Sequence, residues 1–397
     1  MIKELLKNIF SIGRLNDYKK FVKIFGVRIK YRSPKYPVLC ILDPGGIGDY
    51  IFCRPYFKYI KQSTKFKNYK IIFITKDKYE DFVKVYDLEY FDEIISYDAI
   101  KFENNKKYKK RLIKNINNHC IETLVNLRCL TVIYEKDWDV RYEIAKGINA
   151  KQKMVGMINF HSETELRKEK QFKIYDKFIS KGLEDKIFET ERRRRFFEDF
   201  LDMNLPEEEV DLPILVDKKK KNIAISVMAA HEKRLYAPEK WVEIINYIID
   251  ATDNDTQILM LGAVNEKEYI ENIISNVKLN KKITNLSGKV PVTFLPQIIK
   301  DCELLISVET GTVHMARSVG CSCIVLCNGS YYGRFQPYSD NSIRYIYPRE
   351  FNELIKDKNI LKLMEFYNLN TKYKTSDIEV DDIKTAINDY MKGMLNV

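Results

Sequence analysis

Four short stretches of this chain gather groups that can take a proton, hold an anion or read hydroxyls. Each begins where an apolar run ends. The first is Gly45-Gly46-Ile47-Gly48-Asp49, after the run that starts at Val38. Glycine lets backbone come close to a ligand. Asp49 stands at a helix start, where the peptide dipoles favour a negative group that can accept a proton. The second is the loop Ala229 to Arg234, ahead of Pro238. A cation there suits a diphosphate. The third is Gly262 with Glu266 four residues on, a carboxylate within reach of ribose hydroxyls. The fourth is Glu309-Thr310-Gly311-Thr312 with His314, after Leu304 to Val308. A turn opening a helix there offers N–H groups and a partial positive charge to a phosphate. Each stretch also has a plainer use. Asp49 and Thr310 to Thr312 can cap helices, Arg234 can be a solvated base, and Glu266 can favour the start of the next helix.

Other motifs carry less. The glycine cluster at 45–48 is neither the dinucleotide fingerprint nor a P-loop, since no Gly-Lys-Ser/Thr follows. Asp137-Trp138-Asp139 and Asp253-Asn254-Asp255 read as surface or capping acids. Eight cysteines form no C-x-x-C pair. Cys321, Cys323 and Cys327 lack the spacing of a zinc site, so no metal is expected. Several cysteines lie in apolar runs, as small hydrophobes, and reduced thiols are expected. Four histidines leave little material for a nucleophilic triad.

The elements that must position these groups alternate. Apolar runs at Val38 to Asp43, Lys70 to Thr75, Glu93 to Tyr97, Ile121 to Leu127 and Lys153 to Met157 are separated by helical or charged stretches. A second series follows at Asn222 to Met228, Thr256 to Leu261, Leu304 to Val308 and Ser322 to Cys327. Short buried strands between helices predict parallel sheets and an α/β fold. Pro55 is expected in the first turn of a helix or at a kink. Trp241 to Ile249 has helical period, with Pro238 near its start. Pro206, Pro213 and the lysines at 218–221 mark a boundary, giving domains at 37–210 and 211–375. Ser376-Asp377-Ile378-Glu379 fits a capping box. It opens a last helix at 376–397 with an apolar face that must dock, and the N-terminal half is a candidate.

Charge is uneven. The net charge is +11, and residues 1–36 hold ten bases against two acids, or +8 of it. This basic N-terminal extension also carries apolar residues, which fits an anionic membrane surface. Nucleic acid is the rival partner, but no nucleic-acid motif supports it, and none is expected. No apolar run reaches the roughly 20 residues that span a bilayer. No secretory signal is read, so a cytoplasmic protein is expected, peripheral at the inner membrane face.

Taken together, these positions resemble glycosyltransferase family nine, the heptosyltransferases. Its G-D…P motif matches Gly48-Asp49…Pro55. Its Lys-x-Trp-Pro…Trp/Phe segment is similar to Arg234-Leu235-Tyr236-Ala237…Trp241, and its glycine followed by Glu resembles Gly262 and Glu266. Its D-T-G-x-x-H-x-A signature resembles Glu309 to Ala316. The resemblance implies the GT-B architecture, two Rossmann-like domains facing a cleft, the first for the acceptor and the second for the nucleotide sugar. It implies a metal-independent, inverting transfer without a cofactor. The donor would be a nucleotide-diphosphate sugar such as ADP-heptose, and the acceptor a bacterial surface glycan or lipopolysaccharide-type glycolipid. Asp49 would be the general base, beside a loop of Gly45, Gly46 and Gly48. Arg234 and Thr310 to Thr312 would hold the diphosphate, Glu266 the ribose and Glu309 the sugar hydroxyls. Gly262, Gly311 and His314 would complete the donor side. Two departures stand out. Glu309 replaces Asp, and Asn328 to Pro337 replaces a Gly-Pro-Thr-Asp-Pro loop, where Arg334 offers a phosphate contact. A nucleotide-sugar epimerase or hydrolase of the same fold is the alternative, and a non-catalytic glycan- or membrane-binding protein is another.

Overall fold

The computed structural model describes residues 10–16, 19–24, 27–32, 35–130, 140–157, 172–179, 187–214, 221–339, 341–357 and 371–393. It divides into two compact units. The first holds Met1–Gly45, Tyr56–Asp185 and Arg192–Glu208. The second holds Gly46–Pro55, Lys186–Glu191 and Glu209–Val397.

The first unit starts with three antiparallel strands, β1 (Phe10–Asn16), β2 (Lys19–Ile24) and β3 (Val27–Arg32). Within the basic extension, the stretches 10–16, 19–24 and 27–32 are thus strands, which the sequence analysis did not foresee. Their Val, Ile, Phe and Tyr content suits a pleated surface. A parallel sheet follows: β4 (Val38–Leu42), β5 (Lys70–Lys76), β6 (Glu93–Tyr97), β7 (Thr123–Leu130), β8 (Gln152–Met157) and β9 (Lys177–Ile179). Its strand order is β6-β5-β4-β7-β8-β9. Every residue of β4 is buried, as a strand covered on both faces must be.

The second unit repeats this plan. Its strands are β10 (Asn222–Ser226), β11 (Gln257–Leu261), β12 (Ile283–Asn285), β13 (Leu304–Val308), β14 (Ser322–Leu326) and β15 (Ile343–Ile346). They lie in the order β12-β11-β10-β13-β14-β15, all parallel. Counted within each sheet, both orders are 3-2-1-4-5-6, the doubly wound arrangement. Strand order reverses between β4 and β7 and between β10 and β13, and ligands bind at such reversals, outside the carboxyl ends of the strands.

Helix Pro238–Ala251 buries Trp241, Ile244, Ile245, Ile248 and Ile249 in the second core. Truncating a buried Trp costs about 3–5 kcal/mol. The last helix, Val380–Met391, packs on this helix, within the second unit. Ile383, Ala386 and Ile387 join the same core, and Tyr247 Oη donates to Asn388 at 2.5 Å. The capping box expected at Ser376–Glu379 is not formed. Asp377 instead accepts from the Lys374 N–H at 2.8 Å, in the 3-10 turn Thr375–Asp377 that precedes the helix.

Candidate active site

In the second unit two helix starts meet. Helix Ile47–Cys53 begins at the N-cap Gly46, and helix Gly311–Ser318 at the N-cap Thr310. A Cβ on Gly48 would lie 2.7 Å from His314 Cδ2. A Cβ on Gly311 would lie 2.7 Å from Ile47 Cγ2 and 3.6 Å from the Gly48 nitrogen. Real Cβ atoms do not come that close, so glycine at both positions lets these two turns touch. Asp49 is the third helical residue, and its Oδ2 accepts the Gly46 N–H at 3.3 Å. This is the capping use named as the plainer one, and it orients the carboxylate on its own turn. Pro55 lies in the 3-10 turn Arg54–Tyr59 that ends this helix.

An aromatic cluster locks the pair. Phe52, one turn after Asp49, meets the His314 ring edge-on at 4.9 Å, Phe335 at 5.6 Å and Tyr338 at 6.4 Å. Such pairs add about 0.5–1.5 kcal/mol each beyond area burial. His314 Nδ1 and Tyr338 Oη are hydrogen-bonded at 2.8 Å. Burial pushes the His314 pKa down to about 4, so the ring is neutral near pH 7. His314 is thus a packed and hydrogen-bonded spacer behind the turn.

Thr310 makes no side-chain cap, so its plainer use is not taken up. Thr312 Oγ1 pairs with Ser307 Oγ at 3.2 Å. The first N–H groups of a helix, here those of Gly311 and Thr312, have no partner within it. Arg234 ends the 3-10 turn Glu232–Arg234 after β10. Its guanidinium stacks over the Tyr331 ring at 4.7 Å, and its buried Nε has no hydrogen-bond partner. An orphaned donor on a cation is a place an anion fits.

Residues 137–363, more than half of the chain, match the family model for glycosyltransferase family 9, the heptosyltransferases. The chain belongs to glycosyltransferase family 9. Solved structures agree on its GT-B fold. A family 9 glycosyl transferase from Veillonella parvula shares 15% identity over 90% of this chain and 97% of its own, with a TM-score of 0.63. Escherichia coli ADP-heptose lipopolysaccharide heptosyltransferase II shares 12% over 90% and 99%, at 0.62. An E. coli heptosyltransferase solved with ADP-2-deoxy-2-fluoro heptose shares 12% over 89% and 99%, at 0.61. No match is found among curated proteins.

Within this family 9 chain, several expected site residues are placed otherwise. Glu309 was expected to face sugar hydroxyls. It is turned inward, 6% exposed, with Oε2 accepting from Gln336 Nε2 at 3.1 Å. Burial pushes its pKa up to about 7, partly offset by Arg234. Arg334 was expected to touch a phosphate. Its Nε instead pairs with Glu189 at 2.8 Å, with both side chains buried. A fully buried carboxylate needs such a partner. Glu266 takes its plainer use, accepting the Ala263 N–H at 2.8 Å. A Cβ on Gly262 would lie 2.5 Å from Ile270 Cδ1, so close packing explains that glycine.

Gly45 belongs to the first unit. Its φ is +121°, and a Cβ there would lie 1.6 Å from an Arg141 nitrogen. Lys76 Nζ donates to the Gly45 carbonyl at 3.3 Å. Asp43, 2% exposed, accepts from the Lys76 N–H at 3.1 Å, with Arg141 at 3.9 Å. Burial raises its pKa to about 6 against these cations.

The sequence analysis missed Asp43, Arg141, Glu189, Tyr331, Gln336 and Tyr338. The signal for Tyr331, Gln336 and Tyr338 was the aromatic and polar density of the loop after β14. Of the two D-x-D patterns, Asp137–Asp139 lies outside the described residues. Asp253 pairs with Lys221 at 3.1 Å in the open, as a surface acid does. Among the described residues no three His, Cys, Asp or Glu side chains gather as metal ligands. No helix among them is long and apolar enough to cross a membrane.

Proposed function

We propose that this family 9 chain is an inverting, metal-independent glycosyltransferase. It moves a sugar from a nucleotide-diphosphate donor such as ADP-heptose to a hydroxyl of a bacterial surface glycan. It works in the cytoplasm, at the inner face of the membrane. The observation that carries this reading is the glycine contact of Gly48 and Gly311. It brings the turn bearing Asp49 against the turn that ends β13.

In this reading Asp49 takes the proton of the acceptor hydroxyl as that oxygen attacks the anomeric carbon. The bond to the diphosphate breaks on the opposite face, so the configuration inverts. Negative charge grows on the departing nucleoside diphosphate. Arg234 and the N–H groups of Gly311 and Thr312 stabilise that charge, which is catalysis by donors already in place. The unpartnered Arg234 Nε supports this role. His314 and the aromatic cluster hold the two turns in register, which matters because a misplaced reacting group costs much of the gain from orientation. Glu309, bonded to Gln336, acts on the donor through the shape of the turn and not as an ionic reader of hydroxyls.

Thermal shift against a panel of nucleotide sugars and free nucleoside diphosphates tests the donor side. A ligand at 100 times its dissociation constant stabilises by about 2.7 kcal/mol. The expected result is a clear rise with a nucleotide-diphosphate sugar that persists in chelator. No rise with any of them, or a rise lost on chelation, contradicts the reading.

A further inference from the structure

Helix Lys106–Asn117 stands apart on charge. It holds Lys106, Lys107, Lys109, Lys110, Arg111 and Lys114 and no acid. Residues 37–397 keep only +3 of the net charge, so without this helix they are net negative. Leu112 and Ile116 face the core of the first unit. Lys109 turns aside to Glu143 at 2.8 Å. Lys107, Lys110, Arg111 and Lys114 recur at i, i+3, i+4 and i+7, one face of a helix, and all four are exposed. Among the described residues none of the four has an ion-pair partner.

This pattern works against the helix that carries it. Like charges one turn apart destabilise a helix. Lys106 and Lys107 also crowd its positive end, where acids are favoured. The Asn105 cap, accepting the Tyr108 N–H at 2.9 Å, and the buried Leu112 and Ile116 hold it in place. A face kept against such repulsion fits a partner that discharges it. Ile100, on the preceding helix Ala99–Asn104, is 73% exposed. Tyr108, the aromatic of the basic helix, is half-buried, and its hydroxyl accepts the Asp98 N–H at 3.0 Å. It offers no stacking platform of the kind that single-stranded nucleic acid needs.

We infer that this face docks on an anionic bilayer. The phosphates of acidic lipids meet Lys107, Lys110, Arg111 and Lys114, and Ile100 adds apolar contact at the headgroup layer. The inference rests on the proposed function only in that a lipid-linked acceptor gives the docking a purpose.

Full-length protein sedimented with vesicles tests it. The vesicles are phosphatidylcholine with or without one-third phosphatidylglycerol, at about 0.1 M salt. Each base near an anionic surface is worth about five-fold in partitioning. Replacing Lys107, Lys110, Arg111 and Lys114 with Gln, a good helix former, is expected to weaken binding to the anionic vesicles at least about 100-fold. The melting temperature and turnover on a soluble acceptor should hold. Unchanged binding of this variant overturns the inference. So does equal wild-type binding to neutral vesicles, or tighter binding to an oligonucleotide than to vesicles. So does loss of binding only when residues 1–34 are removed. Failure of the proposed function would show separately, as no turnover with any soluble donor and acceptor, which sedimentation does not read.

Discussion

Asp43 and Glu309 flank the strand-order reversals of the two sheets from opposite sides, Asp43 after the first strand of its sheet and Glu309 after the fourth. Each directly follows a strand at the reversal of strand order, β4 or β13, and each is buried. Burial raises both, Asp43 to about 6 and Glu309 to about 7. The two are satisfied differently. Asp43 sits among cations, Lys76 and Arg141. Glu309 accepts from the neutral amide of Gln336. The arginine near Glu309 is steadied on the Tyr331 ring, with a buried donor unpartnered. The first unit thus sets its carboxyl beside two cations, while the second pairs its carboxyl with an amide and steadies the nearby arginine on a ring. Two sheets of one strand order differ in how they satisfy a buried carboxyl, and the difference lies in a few loop residues.

The comparison can be broken first through pH. The folded pKa of Glu309 is raised, so its stabilising contribution is full below about 4.5 and is lost as pH rises through about 7. Glu309→Gln should therefore gain about 3 kcal/mol on wild type between pH 4.5 and pH 8, read by denaturant titration at both ends. A pH-independent difference would mean that the carboxyl is not held neutral by its burial.

Next in size is the arginine contrast. Arg234→Gln should weaken nucleoside-diphosphate affinity by about 2 kcal/mol, near 30-fold, as the loss of a charged hydrogen bond does. Arg141→Gln should leave that affinity within about two-fold. Calorimetric titration of both variants checks the pair, and equal losses would erase the distinction between the units.

The smallest effect is expected from Gly48→Ala. The new methyl must push the His314 ring from 2.7 Å, at about 1–2 kcal/mol of overpacking. The rate should fall, because the two turns are pushed out of register. A variant with unchanged kcat would mean that the contact of the two turns is incidental.

Much of this was legible in the sequence. Leu304–Val308 was read to the residue, since a central parallel strand is a continuous apolar run, and so was the edge strand Glu93–Tyr97, which keeps Ile94, Ile95 and Tyr97. The edge strands β9, β12 and β15 were not. They are three or four residues long and carry Lys, Thr, Asn or Arg, which read as loop. The last helix was found, but its docking face cannot name its partner, and Trp241 and its neighbours supplied one in the same unit. Gly48 and Gly311 were legible as points of close approach because glycine marks them, though what approaches is the neighbouring turn. The pairing of Arg334 with Glu189, 145 residues away, was not legible, because a guanidinium in a loop looks the same whether it meets a phosphate or a buried carboxylate. Pairings across that distance leave no local trace.

The central claim is that Asp49 is the base, and single-turnover transfer by Asp49→Asn tests it most directly. With saturating donor and acceptor, the rate should fall about 10²–10⁴-fold, while nucleoside-diphosphate affinity stays within about two-fold because Arg234 and the Gly311 turn are intact. A near-normal rate, or a loss of rate fully explained by lost donor binding, would contradict the account.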